Sequence, residues 1–124
     1  MVYLITGKSG AGKTHYAHAM AQDLLDKKIS VQVIDGDAFR LEIGNQDYSN
    51  SGRLKNLMAA ARQAQHSERM GNVVIMAFIA PKKEWRDAMR DFWVDSRVIY
   101  LPGGSLWEGT EYEQPNEGEL WPQE

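Results

Sequence analysis

The stretch "GKSGAGKT", residues 7–14, follows the apolar run "VYLIT" and decides how the chain folds. It satisfies the pattern G-x-x-x-x-G-K-[ST], in which glycines let successive backbone N–H groups converge on a phosphate. The lysine of this pattern reaches the β- and γ-phosphates, and the hydroxyl after it ligates Mg²⁺. A chance glycine-rich turn is the alternative, but a strand before and a helix after the motif favour a phosphate loop. The predicted triphosphate site consists of Gly7, Lys8, Ser9, Gly10, Ala11, Gly12, Lys13 and Thr14.

The rest of the chain alternates between strand and helix patterns. The predicted strands are "VYLIT", "VQVID", "NVVIMAFI" and "RVIYL", and the predicted helices cover residues 13–28, 52–71 and 82–93. A short helical turn and a loop are expected in residues 36–51, and irregular structure in residues 102–124. This alternation predicts an α/β fold with three layers, a small parallel sheet between helices. For a phosphate-loop kinase, the class implies the strand order 2-3-1-4.

Composition limits the range of functions. The 124 residues suffice for one domain, and the absence of cysteine excludes disulfides and cysteine-ligated metals. No leader or membrane-length apolar run is visible, so we expect a cytoplasmic protein without a membrane partner. Residues 1–107 carry 14 basic and 11 acidic residues, too scattered to indicate nucleic-acid binding. Residues 108–124 carry six glutamates and no basic residue. We therefore predict a kinase domain at 1–107 and an acidic tail at 108–124, either poorly ordered or part of the same domain.

Two carboxylates follow the second predicted strand, in the tripeptide "DGD" formed by Asp35, Gly36 and Asp37. Ligands bind at the carboxyl ends of parallel strands, where two acids one residue apart would otherwise only repel each other. One acid can orient or deprotonate an acceptor hydroxyl, while the other can hold Mg²⁺ through water. An ordinary Asp-Gly turn is the alternative, which the phosphate loop upstream makes the weaker interpretation.

Three further polar residues are candidates for an anion and nucleoside site. Arg40 follows the acidic pair, and Arg53 and Asn56 share one face at the start of the long helix. Without further context, a solvated helix face is the better interpretation of this pair. His15 and His18 are also three residues apart, but no third ligand is evident, so an exposed helix face is expected.

These motifs, in this order, resemble those of the adenylylsulfate kinases. The family pattern D-G-D-x-x-R corresponds to "DGDAFR", and F-S-x-x-x-R-x-x-N corresponds to "YSNSGRLKN" with Tyr48 in place of Phe. The stretch F-I-S-P corresponds to "FIAP", with Ala80 in place of Ser, and "YEQPNEGEL" follows near the end. The resemblance spans nearly the whole chain, and its two longer motifs are far more specific than the phosphate loop alone.

The resemblance implies transfer of the γ-phosphate of ATP to the 3′-hydroxyl of adenosine 5′-phosphosulfate (APS). It implies ATP as co-substrate and Mg²⁺ as cofactor, held by Thr14 and Asp35. Asp35, Lys13 and Asp37 would be catalytic. A small nucleotide would be the binding partner, and a homodimer is left open. The implied substrate contacts are Asp37, Arg40, Tyr48, Arg53, Asn56, Phe78, Ile79 and Trp107. Tyr48 and, in a looser match, Trp107 would clamp the substrate adenine between aromatic faces.

The chain departs from the family between the fourth strand and "YEQP". The family has a long basic lid there, whereas only "GGSLWEGTE" joins the two segments in this sequence. Ala59 also stands where the family has an arginine. A lid excludes water and stabilises charge on the γ-phosphate, so weak activity is expected. Two alternatives therefore stay open: a kinase for another nucleotide or nucleoside, and a nucleotide-binding pseudo-kinase that regulates a partner.

Overall fold

The computed structural model describes residues 1–106 and 111–120. Strands and helices alternate along this part of the chain, in the order β1 (Val2–Thr6), α1 (Lys13–Asp26), β2 (Val31–Asp35), α2 (Gly36–Ile43), α3 (Asn50–Arg69), β3 (Val73–Ala77), α4 (Lys83–Arg90) and β4 (Ser96–Tyr100). Within the described residues, no helix combines the length and the apolar character that a membrane span requires.

The four strands form one parallel sheet in the order β2-β3-β1-β4, which confirms the predicted fold. β1 is central: Leu4 pairs with Met76 of β3 on one side and with Val98 of β4 on the other. The chain leaves β1 towards β2 on one side of the sheet and later crosses to β4 on the other. Ligand sites of open parallel sheets lie where the strand order reverses in this way. The phosphate loop therefore begins at the place where the fold favours a site.

Apolar layers cover both faces of the sheet, because side chains along each strand alternate between the faces. On one face, Ile5 and Ile75 pack against Ala17 and Ala21 of α1. The layer on the other face joins the sheet to α3 and α4, and its buried members include Leu4, Met76, Leu57, Ala60, Ala61, Ala64, Trp85 and Met89. The small alanines let α3 approach the sheet closely, which brings the start of this helix to the edge of the site.

α2 is a full helix of 8 residues, longer than the short turn expected from its polar sequence. The carboxylate of Asp35 caps it by accepting hydrogen bonds from the backbone N–H groups of Asp37 and Ala38. Gly44 ends it in the left-handed conformation. The hydroxyl of Ser49 accepts from the Gly52 N–H and starts α3 at Asn50, two residues before the predicted start. Side-chain caps at Asp35 and Ser49 thus determine where α2 and α3 begin.

Arg86 of α4 is fully buried, and its guanidinium joins three segments of the chain. Its Nε lies 2.9 Å from Oε2 of Glu119, which is itself buried. Its Nη1 donates to the carbonyl oxygen of Ala80, and its Nη2 to that of Glu113, both at 2.8 Å. The loop after β3, helix α4 and residues 111–120 therefore meet at one cation.

Tyr112 provides a second attachment for residues 111–120. Its hydroxyl lies 2.7 Å from Oγ1 of Thr6, the last residue of β1, and its ring stacks on Tyr100 of β4. Burial raises the pKa of the Tyr112 hydroxyl, against the opposing effects of the Thr6 hydrogen bond and the Arg86 charge. Leu120 forms a parallel bridge with Val98. These contacts place residues 111–120 against β1 and β4.

We predict that Glu119→Gln lowers the free energy of unfolding by about 3 kcal/mol, because it leaves the Arg86 charge buried without a counter-charge. Urea denaturation followed by circular dichroism measures the change. The control is Asp23→Asn, which breaks an ion pair of α1 whose side chains are 64% and 65% exposed, and should leave stability nearly unchanged. A loss below about 1 kcal/mol for Glu119→Gln would contradict the assignment of this pair as a structural anchor.

Candidate functional site

A cavity of about 430 Å³ opens at the carboxyl ends of the strands. Its walls come from the phosphate loop, the start of α1, helix α2, the start of α3 and the loop after β3. A volume of this size lies within the range that small-molecule sites occupy. Elements far apart in sequence therefore converge on one concave site.

Gly12 begins α1 and shapes the phosphate loop. Its φ of 94° is a left-handed conformation that glycine adopts without strain. It places no side chain on the first turn of the helix, and no side-chain hydrogen bond caps this end. The N–H groups of the first turn are thus not claimed by a capping residue, which suits an anion at this position.

Lys13 projects into the same site. Its Nζ donates to the carbonyl oxygen of Lys8 within the loop at 2.9 Å. Partial burial lowers the pKa of Lys13, while the negative charges of Asp37 and Asp35 oppose that shift. A phosphate in the cavity would supply negative charge in place of the water that burial removes from the ammonium. The Lys13 ammonium can therefore release the Lys8 carbonyl and donate its hydrogen bonds to phosphate oxygens instead.

Thr14 and Asp35 form the polar floor of this half of the cavity. The Thr14 hydroxyl donates to Oδ2 of Asp35 at 2.5 Å, while Oδ1 of Asp35 caps α2. A hydroxyl and a carboxylate are hard oxygen ligands, and Mg²⁺ in phosphate sites takes few protein ligands beside phosphate oxygens and water. The described residues hold no cluster of three or more His, Cys, Asp or Glu that would bind a metal unaided. This pair fits Mg²⁺ that arrives with a triphosphate.

Arg40 and Tyr48 form an aromatic and cationic corner of the cavity. The guanidinium carbon of Arg40 lies 4.4 Å from the centre of the Tyr48 ring. Arg40 also donates to the carbonyl oxygens of Asn45 and Asp47, at 3.3 Å and 3.0 Å. Hydrogen bonds from the Ser49 side chain and backbone lower the pKa of Asp47. The loop thus holds a largely exposed tyrosine ring at the mouth of the cavity.

Asn56 is 5% exposed, and its Oδ1 has no hydrogen-bond partner among the described residues. An orphaned buried amide oxygen costs about 1–3 kcal/mol, so it requires an explanation. Arg53, one turn earlier on α3, also lines the cavity. Burial lowers the pKa of Arg53, and the positive charge of Arg40 adds to this effect. A ligand with a hydrogen-bond donor would satisfy the Asn56 oxygen, and a negative charge on the same ligand would offset the repulsion between Arg40 and Arg53.

The loop after β3 forms the opposite wall of the cavity, with Phe78, Ile79, Ala80 and Pro81. The hydroxyl of Thr6 donates to the carbonyl oxygen of Ile79. Phe78 packs edge-on against Phe39 of α2, with ring centres 6.3 Å apart. The wall is therefore attached to both β1 and α2.

Most of the predicted site residues lie together in this cavity. Its lining includes Ser9, Gly10, Gly12, Lys13, Thr14, Asp35, Asp37, Arg40, Tyr48, Arg53, Asn56, Phe78 and Ile79. Gly7, Lys8 and Ala11 complete the loop without lining the cavity. Trp107 lies outside the described residues, so the second half of the predicted clamp stays a prediction, as do the assigned roles.

Several lining residues were not predicted. His15 and His18 are exposed on α1, as expected, and His15 also lines the cavity. Its place in the first turn after the phosphate loop was the signal that could have identified it. Leu57 and Trp85 face the cavity from α3 and α4. Their sequence patterns indicate burial alone, and only the assembled fold shows that they border a site.

The strand order, the glycine-rich loop after β1 and the cavity beside it define the class as a phosphate-loop fold with a nucleotide-sized site. The family model for adenylylsulphate kinase matches residues 1–101, and the chain belongs to this family.

Individual relatives support this membership. The adenylyl-sulfate kinase of Bacillus velezensis is 37% identical over 89 residues, which cover 70% of this chain and 45% of the relative. The Mycobacterium tuberculosis APS kinase CysC, solved in complex with AMPPNP and APS, is 30% identical, with a TM-score of 0.77 over 81% of this chain and 61% of that chain. A hexameric APS kinase from Thiobacillus denitrificans is 27% identical, with a TM-score of 0.80 over 96% of this chain and 24% of that chain. The chain spans about half the length of the curated relatives it matches.

We predict that Asn56→Leu weakens APS binding at least about tenfold while stability stays equal or rises. Leucine removes the orphaned amide oxygen, which helps folding but deprives the ligand of its partner. Calorimetry and urea denaturation measure the two effects.

Gln65→Leu on the same helix is the matched control, because the Gln65 amide already donates to the Phe92 carbonyl at 2.8 Å. This variant should lose about 1 kcal/mol of stability and keep its affinity for APS. Unchanged APS affinity in Asn56→Leu would remove Asn56 from the binding site.

Proposed function

We propose that this chain is an ATP- and Mg²⁺-dependent phosphotransferase that transfers the γ-phosphoryl group of ATP to the 3′-hydroxyl of APS. One observation carries the proposal: a single cavity joins a phosphate loop to the buried, unpartnered Oδ1 of Asn56 and to two arginines. Family membership supports a kinase of this type, and the relative crystallised with AMPPNP and APS has the same fold.

The donor half of the cavity would bind ATP. The loop from Gly7 to Gly12 would wrap the phosphates with backbone N–H groups, and Lys13 would leave the Lys8 carbonyl to meet the γ-phosphate. Thr14 would hold Mg²⁺ directly, and Asp35 beside it would meet the ion through a water molecule. The ion would supply positive charge against the β- and γ-phosphate oxygens.

The acceptor half would bind APS. Arg40 and Arg53 would meet the phosphosulfate group, which explains two like charges on one wall. The Asn56 oxygen would accept a hydrogen bond from the nucleoside, and Tyr48 would stack on the adenine. Phe78 and Ile79 would close the opposite side of the nucleotide.

The transfer itself is a displacement at phosphorus. The 3′-hydroxyl oxygen of the acceptor forms a bond to the γ-phosphorus, and the bond from this phosphorus to the bridging oxygen of ADP breaks. The hydroxyl proton passes to a carboxylate, for which Asp35 is our first assignment and Asp37 the second. Both carboxylates line the cavity beside Lys13, whose charge would stabilise the electrons that move to the leaving group.

Because the connection between β4 and residue 112 is short, we retain two alternative functions for this chain. This connection leaves no room for the long basic lid of the family pattern, so the triphosphate would stay more open to water. A kinase for another nucleotide or nucleoside would use the same two cavity halves. A pseudo-kinase would bind nucleotide and regulate a partner.

The formation of a homodimer and a cytoplasmic location also remain predictions.

We predict slow phosphoryl transfer to APS, with part of the ATP lost to water. An open site has a higher local dielectric, which weakens charge stabilisation at the γ-phosphate, and water competes with the acceptor hydroxyl. A coupled assay for ADP release, with and without each acceptor of a nucleotide and nucleoside panel, measures both rates. Lys13→Ala is the inactive control.

Each assay outcome selects one function. ADP release that another acceptor stimulates, but APS does not, would replace APS as the substrate. APS binding without transfer would favour the pseudo-kinase. Fast transfer tightly coupled to ATP use would contradict the open site.

We predict that Asp35→Asn lowers kcat about a hundredfold or more and leaves binding of the nucleotide nearly intact. An amide cannot take the acceptor's proton, but it still caps a helix, so α2 should persist. Steady-state kinetics and calorimetry with an ATP analogue measure the two properties. A kcat within about twofold of wild type would transfer the role of the acid to Asp37.

A further inference from the structure

Residues 102–105, which follow β4, lie directly against the phosphate loop; we refer to them as the brace. The backbone N–H of Ser105 donates to the carbonyl oxygen of Ser9 at 2.9 Å, and the two residues form an isolated antiparallel bridge. Gly104 has a φ of 69° and packs on the same part of the loop. The contact is thus made by backbone atoms on both sides.

Gly104 has no space for a side chain. A β-carbon there would lie 2.4 Å from the carbonyl oxygen of Ser9 and 2.9 Å from the amide nitrogen of Ala11. Both atoms belong to the backbone of the phosphate loop and cannot rotate away. The neighbouring Gly103 has a φ of 92°, but a β-carbon there would have no atom within 4 Å. Two adjacent glycines therefore share a left-handed backbone, and only at Gly104 would a β-carbon collide with the loop.

The same contact extends to the lysine of the site. A β-carbon at Gly104 would lie 3.1 Å from the carbonyl oxygen of Lys8. That oxygen accepts the hydrogen bond from Lys13 Nζ at 2.9 Å, and one from the Ala11 N–H at 3.2 Å. A shift of the Lys8 carbonyl would therefore move both the turn of the loop and the ammonium that it holds.

We propose that the brace sets the shape of the phosphate loop, which makes Gly104 a positioning residue for triphosphate binding. The inference rests on the proposed function in one respect, that the loop binds the phosphates of ATP. The first residues after β4 contact the loop through the Ser105–Ser9 bridge and through Gly104. Bound triphosphate and an intact brace favour the same loop conformation, so each stabilises the other.

The test compares Gly104→Ala with Gly103→Ala by calorimetry, using a non-hydrolysable ATP analogue and, separately, APS. Both variants carry the strain of alanine at positive φ, so Gly103→Ala controls for lost stability. Gly104→Ala should bind the ATP analogue about tenfold to a hundredfold more weakly and bind APS as wild type does. Gly103→Ala should keep both affinities within about twofold.

Equal affinities of the two variants for the analogue would overturn the brace and leave the proposed function intact. Failure of the wild type to bind the analogue would overturn both.

If Gly104→Ala does not fold, amide hydrogen exchange on the wild type tests the same inference. The analogue should slow exchange of the Ser105 amide several-fold, because loop and brace are coupled. Unchanged exchange at Ser105 in the analogue-bound protein would refute the inference.

Discussion

The buried charge of Arg86 is the constraint on which the shape of the cavity wall depends. A guanidinium removed from water must have its donors satisfied, and here a carboxylate and two backbone carbonyls do so. A well-packed apolar group could match such a pair in stability. An apolar group makes no hydrogen bonds, so it could not fix the orientation of the backbone carbonyls around it. The donors of Arg86 set where the Ala80 carbonyl and residues 111–120 must lie.

That constraint reaches the site through the backbone of the loop after β3. Ala80 has a φ of 44°, a conformation that non-glycine residues rarely adopt, and it is fully buried. Arg86 holds its carbonyl oxygen, and Thr6 holds that of Ile79 just before it. Strain of this kind persists where surrounding bonds determine it, and it occurs often at functional sites. Thr6 directly precedes the phosphate loop. Its hydrogen bond to the Ile79 carbonyl therefore connects the loop after β3 to the start of the phosphate loop.

The fold was predictable because its signals are local. Each strand is an apolar run, and each long helix repeats apolar residues at helical spacing, so the order 2-3-1-4 followed once the class was known. The cavity residues that belong to sequence motifs were also predictable, because the phosphate loop and "DGD" each place their functional groups on a few adjacent residues. The length of α2 was not, because its cap depends on how Asp35 turns at the end of β2.

Contacts distant in sequence left no such signal. Arg86 reads as one polar residue of an amphipathic helix, and Glu119 as one of six glutamates in an acidic segment. Their pairing spans 33 residues and exists only after β4 brings the two segments together. Gly104 gives no sequence cue either, since a "GG" pair indicates a turn and not which neighbour the turn contacts.

The distribution of charge explains why the two halves of the cavity need not depend equally on a cover. Arg40 and Arg53 stand on helices α2 and α3, whose caps fix the backbone from which each guanidinium extends. Fixed charges of this kind stabilise a ligand without the cost of reorganisation. Lys13 differs in where its partner lies, because its Nζ donates to the Lys8 carbonyl within the phosphate loop itself. On our proposal the brace holds that carbonyl in place, so rigidity of the loop would supply part of what a lid supplies in the family pattern.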